Sequence, residues 1–141
     1  MANTILLVED SPSDAAILIA AFEGTSYSGN IRVAESGLDA IHLLEKLGTT
    51  QHAEWPQLIL IDLNLPTKDG LEILDVIKTN PDWMKTPAVV LSSSSSPSDI
   101  DKSYRKHANA YISKPRQLKH YEAVARSLCT FWFDVAQPSS V

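Results

Sequence analysis

A single cysteine, Cys129, stands among the 141 residues, so no internal disulfide can form. A lone thiol in an apolar stretch near the carboxyl end reads as a buried, reduced side chain, which suits the cytosol. Long hydrophobic runs are missing too: nothing in the chain reaches the about 18 consecutive apolar residues that a membrane helix requires. The first apolar segment begins without a positively charged leader or a small-residue cleavage site, which argues against secretion. Basic charge is scarce. Lys and Arg number 12 against 17 Asp and Glu, a net charge of -5, and no basic block occurs. Binding a phosphate backbone needs concentrated Lys and Arg, so a general nucleic-acid role is excluded. The four histidines are scattered without metal-ligand spacing and read as surface residues. These absences leave a cytoplasmic protein with neither a membrane nor a nucleic acid as partner.

Hydrophobic residues make up 44% and charged residues 21%, ordinary values for a globular chain. Dividing it would leave two pieces too small to bury much apolar surface, so one domain over residues 1–141 is expected. Ile5–Val8, Leu58–Ile61, Ala88–Leu91 and Ala110–Ile112 are short continuous apolar runs, the pattern of strands buried on both faces. Ile31–Ala34 is a weaker strand of the same kind. Between them the period becomes helical: Ala15, Leu18 and Phe22 share a face, as do Leu38, Ile41 and Leu44, and Ile73, Leu74 and Ile77. Ser11 with Asp14, Ser36 with Asp39 and Ser96 with Asp99 each place a capping hydroxyl three residues ahead of an acid. Pro12 and Pro97 fall at first helical positions, where a missing N–H costs nothing. Strand and helix thus alternate along the whole chain. Right-handed crossovers then give a doubly wound α/β fold, a parallel sheet with helices on both faces.

In such sheets the functional crevice lies beyond the carboxyl ends of the strands. Glu9 and Asp10 follow the first strand, Asp62 the third, Ser92 ends the fourth, and Lys114 and Pro115 follow the fifth. Three carboxylates converging on one edge repel one another unless a cation compensates. Mg²⁺ suits acids without nearby His or Cys, because it takes one or two carboxylates, waters and phosphate oxygens. The bland alternative is a hydrated acidic surface.

The motifs ILLVED, LILIDLNLPTKDG, PAVVLSS and AYISKP, in this order and spacing, resemble the receiver domains of two-component response regulators. The resemblance covers Ile5 to about Leu128. It implies a flavodoxin-like sheet of strand order 2-1-3-4-5, Asp62 as phosphoacceptor and Mg²⁺ as cofactor. Asp10 and Asp62 would ligate the metal directly, Glu9 through water, and Asn64 through its backbone carbonyl. Ser92 and Lys114 would hold phosphoryl oxygens, Ser92 and Tyr111 would form the switch, and the Lys114–Pro115 peptide would be cis. From residue statistics alone that bond is trans, and without the resemblance Tyr111 reads rather as a core residue with its hydroxyl at the rim.

From Leu118 onward, Leu118, Tyr121, Ala125, Leu128, Trp132 and Val135 recur at spacings of three and four, the stripe of one long helix over about 117–135. Val124, Cys129, Phe131 and Phe133 widen its apolar side beyond what one sheet face needs. A homodimer through this helix, with Tyr121, Leu128, Phe131 and Trp132 as interface candidates, stands against an intramolecular tuck. The Phe-Trp-containing extension, VLSSS after the fourth strand and YISK make the chain most similar to phytochrome-associated response regulators.

The resemblance implies a stand-alone, non-enzymatic response regulator that takes phosphate from a sensor histidine kinase, with a phytochrome as candidate. Residues 136–141 are too few for a DNA-binding output module. An aspartyl-phosphate phosphatase would want a general acid two residues after its nucleophile, where Asn64 stands. A silent docking module would have lost an acid or the lysine, and neither is missing.

Overall fold

Strands with no polar face need cover on both sides, and a helix follows every strand. The structure, a computed structural model, describes residues 3–50, 54–65 and 69–139. In order it has β1 (Thr4–Val8), α1 (Pro12–Glu23), β2 (Asn30–Ala34), α2 (Gly37–Thr50), β3 (Leu58–Ile61) and α3 (Gly70–Thr79). Then come β4 (Ala88–Ser92), α4 (Pro97–Arg105), β5 (Ala110–Ser113), α5 (Leu118–Cys129) and a π-helical segment, Thr130–Val135. The strands form one parallel sheet of order β2-β1-β3-β4-β5, as expected. Pairing of Val8 with both Ala34 and Ile61, and of Ser92 with Ser113, brings the carboxyl ends of the strands to one edge.

Successive strand residues point to opposite faces, which divides the core in two. Leu6, Val8, Ile59, Ile61 and Val90 meet Ala40 and Leu44 of α2 and Ile73, Leu74 and Ile77 of α3. Ile5, Leu7, Leu60 and Val89 meet Ala15, Leu18 and Phe22 of α1 and Ala125, Leu128 and Cys129 of α5. Each fully buried aliphatic side chain contributes about 1.5–3 kcal/mol relative to its exposed state. Cys129 is buried, as its setting suggested.

The predicted helix starts are present. Ser11, Ser36 and Ser96 accept from the N–H of Asp14, Asp39 and Asp99 at 3.2, 3.1 and 3.4 Å. Helix α3 has a cap the sequence reading passed over, Asp69, which accepts from Glu72 N–H at 2.9 Å. Two apolar stripes differ from expectation. In α2 the inward residues are Ala40, Leu44 and Leu47, while Leu38 is 47% exposed. Two steps of three residues leave Leu38 about 120° around the helix from Leu44. At the carboxyl end, the stripe's outer members Leu118 and Val135 are exposed, because only its middle lies over the sheet. Leu128, an interface candidate, is 4% exposed inside its own core, so it has no surface left for a partner.

Candidate functional site

The ladder of the sheet continues one residue past the strands and aims the side chains that follow them. Glu9 N–H donates to Ala34 O at 3.0 Å, Asp62 N–H to Val8 O at 3.1 Å and Lys114 N–H to Ser92 O at 2.6 Å. Glu9, Asp62 and Lys114 are thereby turned over the same edge. Lys114 Nζ donates to Glu9 Oε1 at 2.8 Å, Asp14 Oδ2 at 3.1 Å and Asp62 Oδ2 at 3.2 Å. The second oxygens are held as well: Asp62 Oδ1 accepts from Asn64 N–H at 3.1 Å and Glu9 Oε2 from Ser11 N–H at 3.3 Å.

Glu9, Asp10 and Asp62 bring one carboxylate oxygen each to within 4.8 Å of one another. Glu9 and Asp62 are buried and Asp10 is exposed. Burial pushes the Glu9 carboxyl up to about 7, with neighbouring Asp62 adding to the rise and Lys114 opposing it. Burial would lower Lys114, but the Glu9, Asp62 and Asp14 carboxylates outweigh it and hold the ammonium above its ordinary value. One ammonium therefore does not balance this set of acids. A hard oxygen donor set short of positive charge fits a divalent ion of the Mg²⁺ type.

Ser92 is fully buried, and its Oγ accepts from Ser94 N–H at 3.1 Å. The β4–α4 loop is organised around Ser94: its Oγ donates to Asp99 Oδ2 at 2.6 Å, and its carbonyl accepts from the Tyr111 hydroxyl at 2.7 Å. Tyr111 N–H in turn donates to the Tyr104 hydroxyl at 3.1 Å.

Residues 5–126 match the family described as Response regulator receiver domain. The chain belongs to the response regulator receiver family. Response regulator Rcp1 of Synechocystis sp. is 38% identical over 132 residues, covering 94% of this receiver and 90% of that protein. The phosphorylated cyanobacterial phytochrome response regulator RcpA superposes with a TM-score of 0.90 at 35% identity, over 99% of this receiver and 100% of that chain. The Mn(2+)-bound form of Rcp1 superposes with a TM-score of 0.86 at 36% identity, over 98% and 99% of the two chains.

Of the residues singled out from the receiver's sequence, Glu9, Asp10, Asp62 and Lys114 are brought together, with Asn64 joined to Asp62 through its N–H. Ser92 and Tyr111 meet through Ser94, one by accepting from its N–H and the other by donating to its carbonyl. The Lys114–Pro115 peptide corrects the expectation of a cis bond: no cis peptide occurs among the described residues, and trans is the form an X–Pro bond favours by about 0.5–1 kcal/mol.

Asp14, a helix-start acid in the sequence pattern, is also the third carboxylate on Lys114. No local signal marked that role, because its partner Lys114 lies 100 residues away in sequence. A depression of about 750 Å³ between Trp55 and Trp83 lies at the amino ends of β3 and β4, away from the acids at the carboxyl ends.

Proposed function

We propose that this receiver accepts a phosphoryl group on Asp62 in a Mg²⁺-dependent reaction, taken from a sensor histidine kinase. The observation that carries this reading is Asp62 itself, nearly buried, ionically bonded to Lys114, and sharing an oxygen-rich corner with Glu9 and Asp10. In the transfer an Asp62 carboxylate oxygen forms a bond to phosphorus. The bond from phosphorus to the donor breaks, and the donor keeps that electron pair. Charge spreads over the three remaining phosphoryl oxygens, so alignment and neutralisation supply most of the rate. Lys114 neutralises one of those oxygens, and the Ser92 hydroxyl turns to another. Glu9, Asp10, Asp62 and the Asn64 carbonyl would hold Mg²⁺, which supplies further positive charge to the phosphoryl oxygens. A phosphoaspartate adds charge and acceptor oxygens, drawing Ser92 inward and changing the space available to Tyr111. The chain acts as a phosphoacceptor that assists its own transfer, not as an enzyme on a separate substrate.

The partner kinase is a phytochrome in this reading, supported by the likeness along nearly the full chain to a phytochrome response regulator. The protein works in the cytoplasm as one receiver unit spanning residues 1–141; no helix among the described residues is long and apolar enough to cross a membrane. Its output is a changed surface together with self-association through the carboxyl-terminal helix, where Phe131 is 51% and Val135 61% exposed. Tyr121 and Trp132 contribute at its edge while packing partly on their own core.

Incubation with acetyl phosphate and Mg²⁺, followed by intact mass, tests the acceptor. One phosphoryl mass should appear on wild type, and none with EDTA or in Asp62→Asn. Labelling that persists in Asp62→Asn would overturn the assignment.

A further inference from the structure

An ammonium has three N–H donors, and in Lys114 each is engaged by a carboxylate: Glu9 at 2.8 Å, Asp14 at 3.1 Å and Asp62 at 3.2 Å. For Lys114 to reach a phosphoryl oxygen, one of these bonds has to be released. The three acceptors are not equally releasable. The side chains of Glu9 and Asp62 are 4% and 9% exposed, whereas that of Asp14 is 41% exposed. A buried carboxylate that loses its cation is left poorly solvated, but a half-exposed one is rehydrated at once. Asp14 is therefore the bond that opens at least cost. It also stands outside the cluster formed by Glu9, Asp10 and Asp62, so releasing it leaves those oxygens in place.

We propose that Asp14 is a positioning residue that holds Lys114 in the unphosphorylated protein and yields it to the incoming phosphoryl group. The proposal rests on Asp62 being the acceptor. Asp14 sits in the first turn of α1, where its own N–H is bonded to Ser11 Oγ. The backbone cap fixes where the carboxylate stands, and Lys114 arrives from the far end of the sheet to meet it. In the transfer, the donor–phosphorus bond breaks while the Asp62–phosphorus bond forms, as above. Lys114 exchanges one hydrogen bond, from Asp14 to a phosphoryl oxygen, and keeps its proton. Asp14 thus acts as a competitor that slows the transfer: it keeps one N–H of the ammonium occupied until a stronger anion displaces it.

The test is the rate of phosphoryl incorporation from acetyl phosphate and Mg²⁺ in the full chain. Asp14→Asn retains the backbone N–H that Ser11 caps, so the helix start survives. It should raise the rate about two- to fivefold, the size of one half-exposed ion pair. Asp14→Glu, which restores a carboxylate, should return the rate toward wild type. In a Lys114→Met background Asp14→Asn should give no acceleration beyond about 1.3-fold, because the two residues act as a unit; no measurable labelling in either protein is the same result. An unchanged or slower rate in Asp14→Asn, or equal acceleration without Lys114, would overturn the proposal. Wild type and Asp62→Asn run alongside: if wild type takes no phosphoryl group, or Asp62→Asn takes one, the acceptor assignment has failed instead.

Discussion

The hydroxyl of Tyr111 in β5 donates to the main-chain carbonyl of Ser94 at 2.7 Å, binding the last strand to the loop that leaves the fourth. The ring packs beside the core on the α2 and α3 side, so Tyr111→Phe should keep its packing and lose only the bond. The expected cost is about 0.5–1.5 kcal/mol in urea unfolding, with faster amide hydrogen exchange over Ser93–Ser96. An unfolding midpoint and exchange rates equal to wild type would show that the bond does not hold the loop.

Gly70 lets helix α3 close against the segment that carries Asp62. Its N–H donates to Leu63 O at 2.9 Å, and a Cβ there would collide with the Asp62 carbonyl oxygen and lie 2.6 Å from Leu63 Cα. Backbone cannot give way as a flexible side chain can, so Gly70→Ala should destabilise by about 1–3 kcal/mol and slow phosphorylation of Asp62 by displacing it. Gly48→Ala is the matched control. A Cβ there meets only Trp55 Cζ3, at 3.8 Å, and alanine in a helix should add about 0.5–1 kcal/mol. Equal unfolding midpoints for the two variants would refute the clash.

Tyr27 donates its hydroxyl to Asn30 O at 2.8 Å and packs on Phe22 and Phe133 with ring centroids 5.7 and 5.4 Å away. Burial, with the nearby Cys129 thiol adding to it, pushes its pKa from 10.0 up to about 12. Above the ordinary value the unfolded chain gives up a proton that the folded chain keeps. Stability from this group is complete below pH 10.0 and is lost as the pH climbs toward about 12. Urea unfolding across that window should show a steeper loss in wild type than in Tyr27→Phe. Parallel curves would remove Tyr27 from the alkaline response.

Phe131, 51% exposed beside Val135 at 61%, offers apolar surface at the end of the last helix. Phe131→Glu should turn a dimer into a monomer in size exclusion with light scattering. Its thermal midpoint should be little changed, since a half-exposed side chain contributes little to its own core. A monomeric mass for both proteins would end the self-association reading.

The alternation of strand and helix, the three serine caps and the acids at the strand ends were legible in the linear chain. Apolar runs and helix starts depend on neighbours within about four residues, and the ends of parallel strands meet at one edge whatever the loops do. Helical rotation was harder to read: Leu38 and Leu128 are both apolar at plausible spacing, yet one faces solvent and the other lies wholly in the core. Which groups share a hydrogen bond was settled by packing between distant elements. Asp14 and Lys114 lie 100 residues apart in sequence, and Tyr111 and Ser94 17 apart. Nothing in either local pattern carries such a pairing, because it follows from the order of the strands and the seating of the helices. The same packing sets the inequality among the three carboxylates on Lys114, since burial of a side chain is a property of everything folded around it.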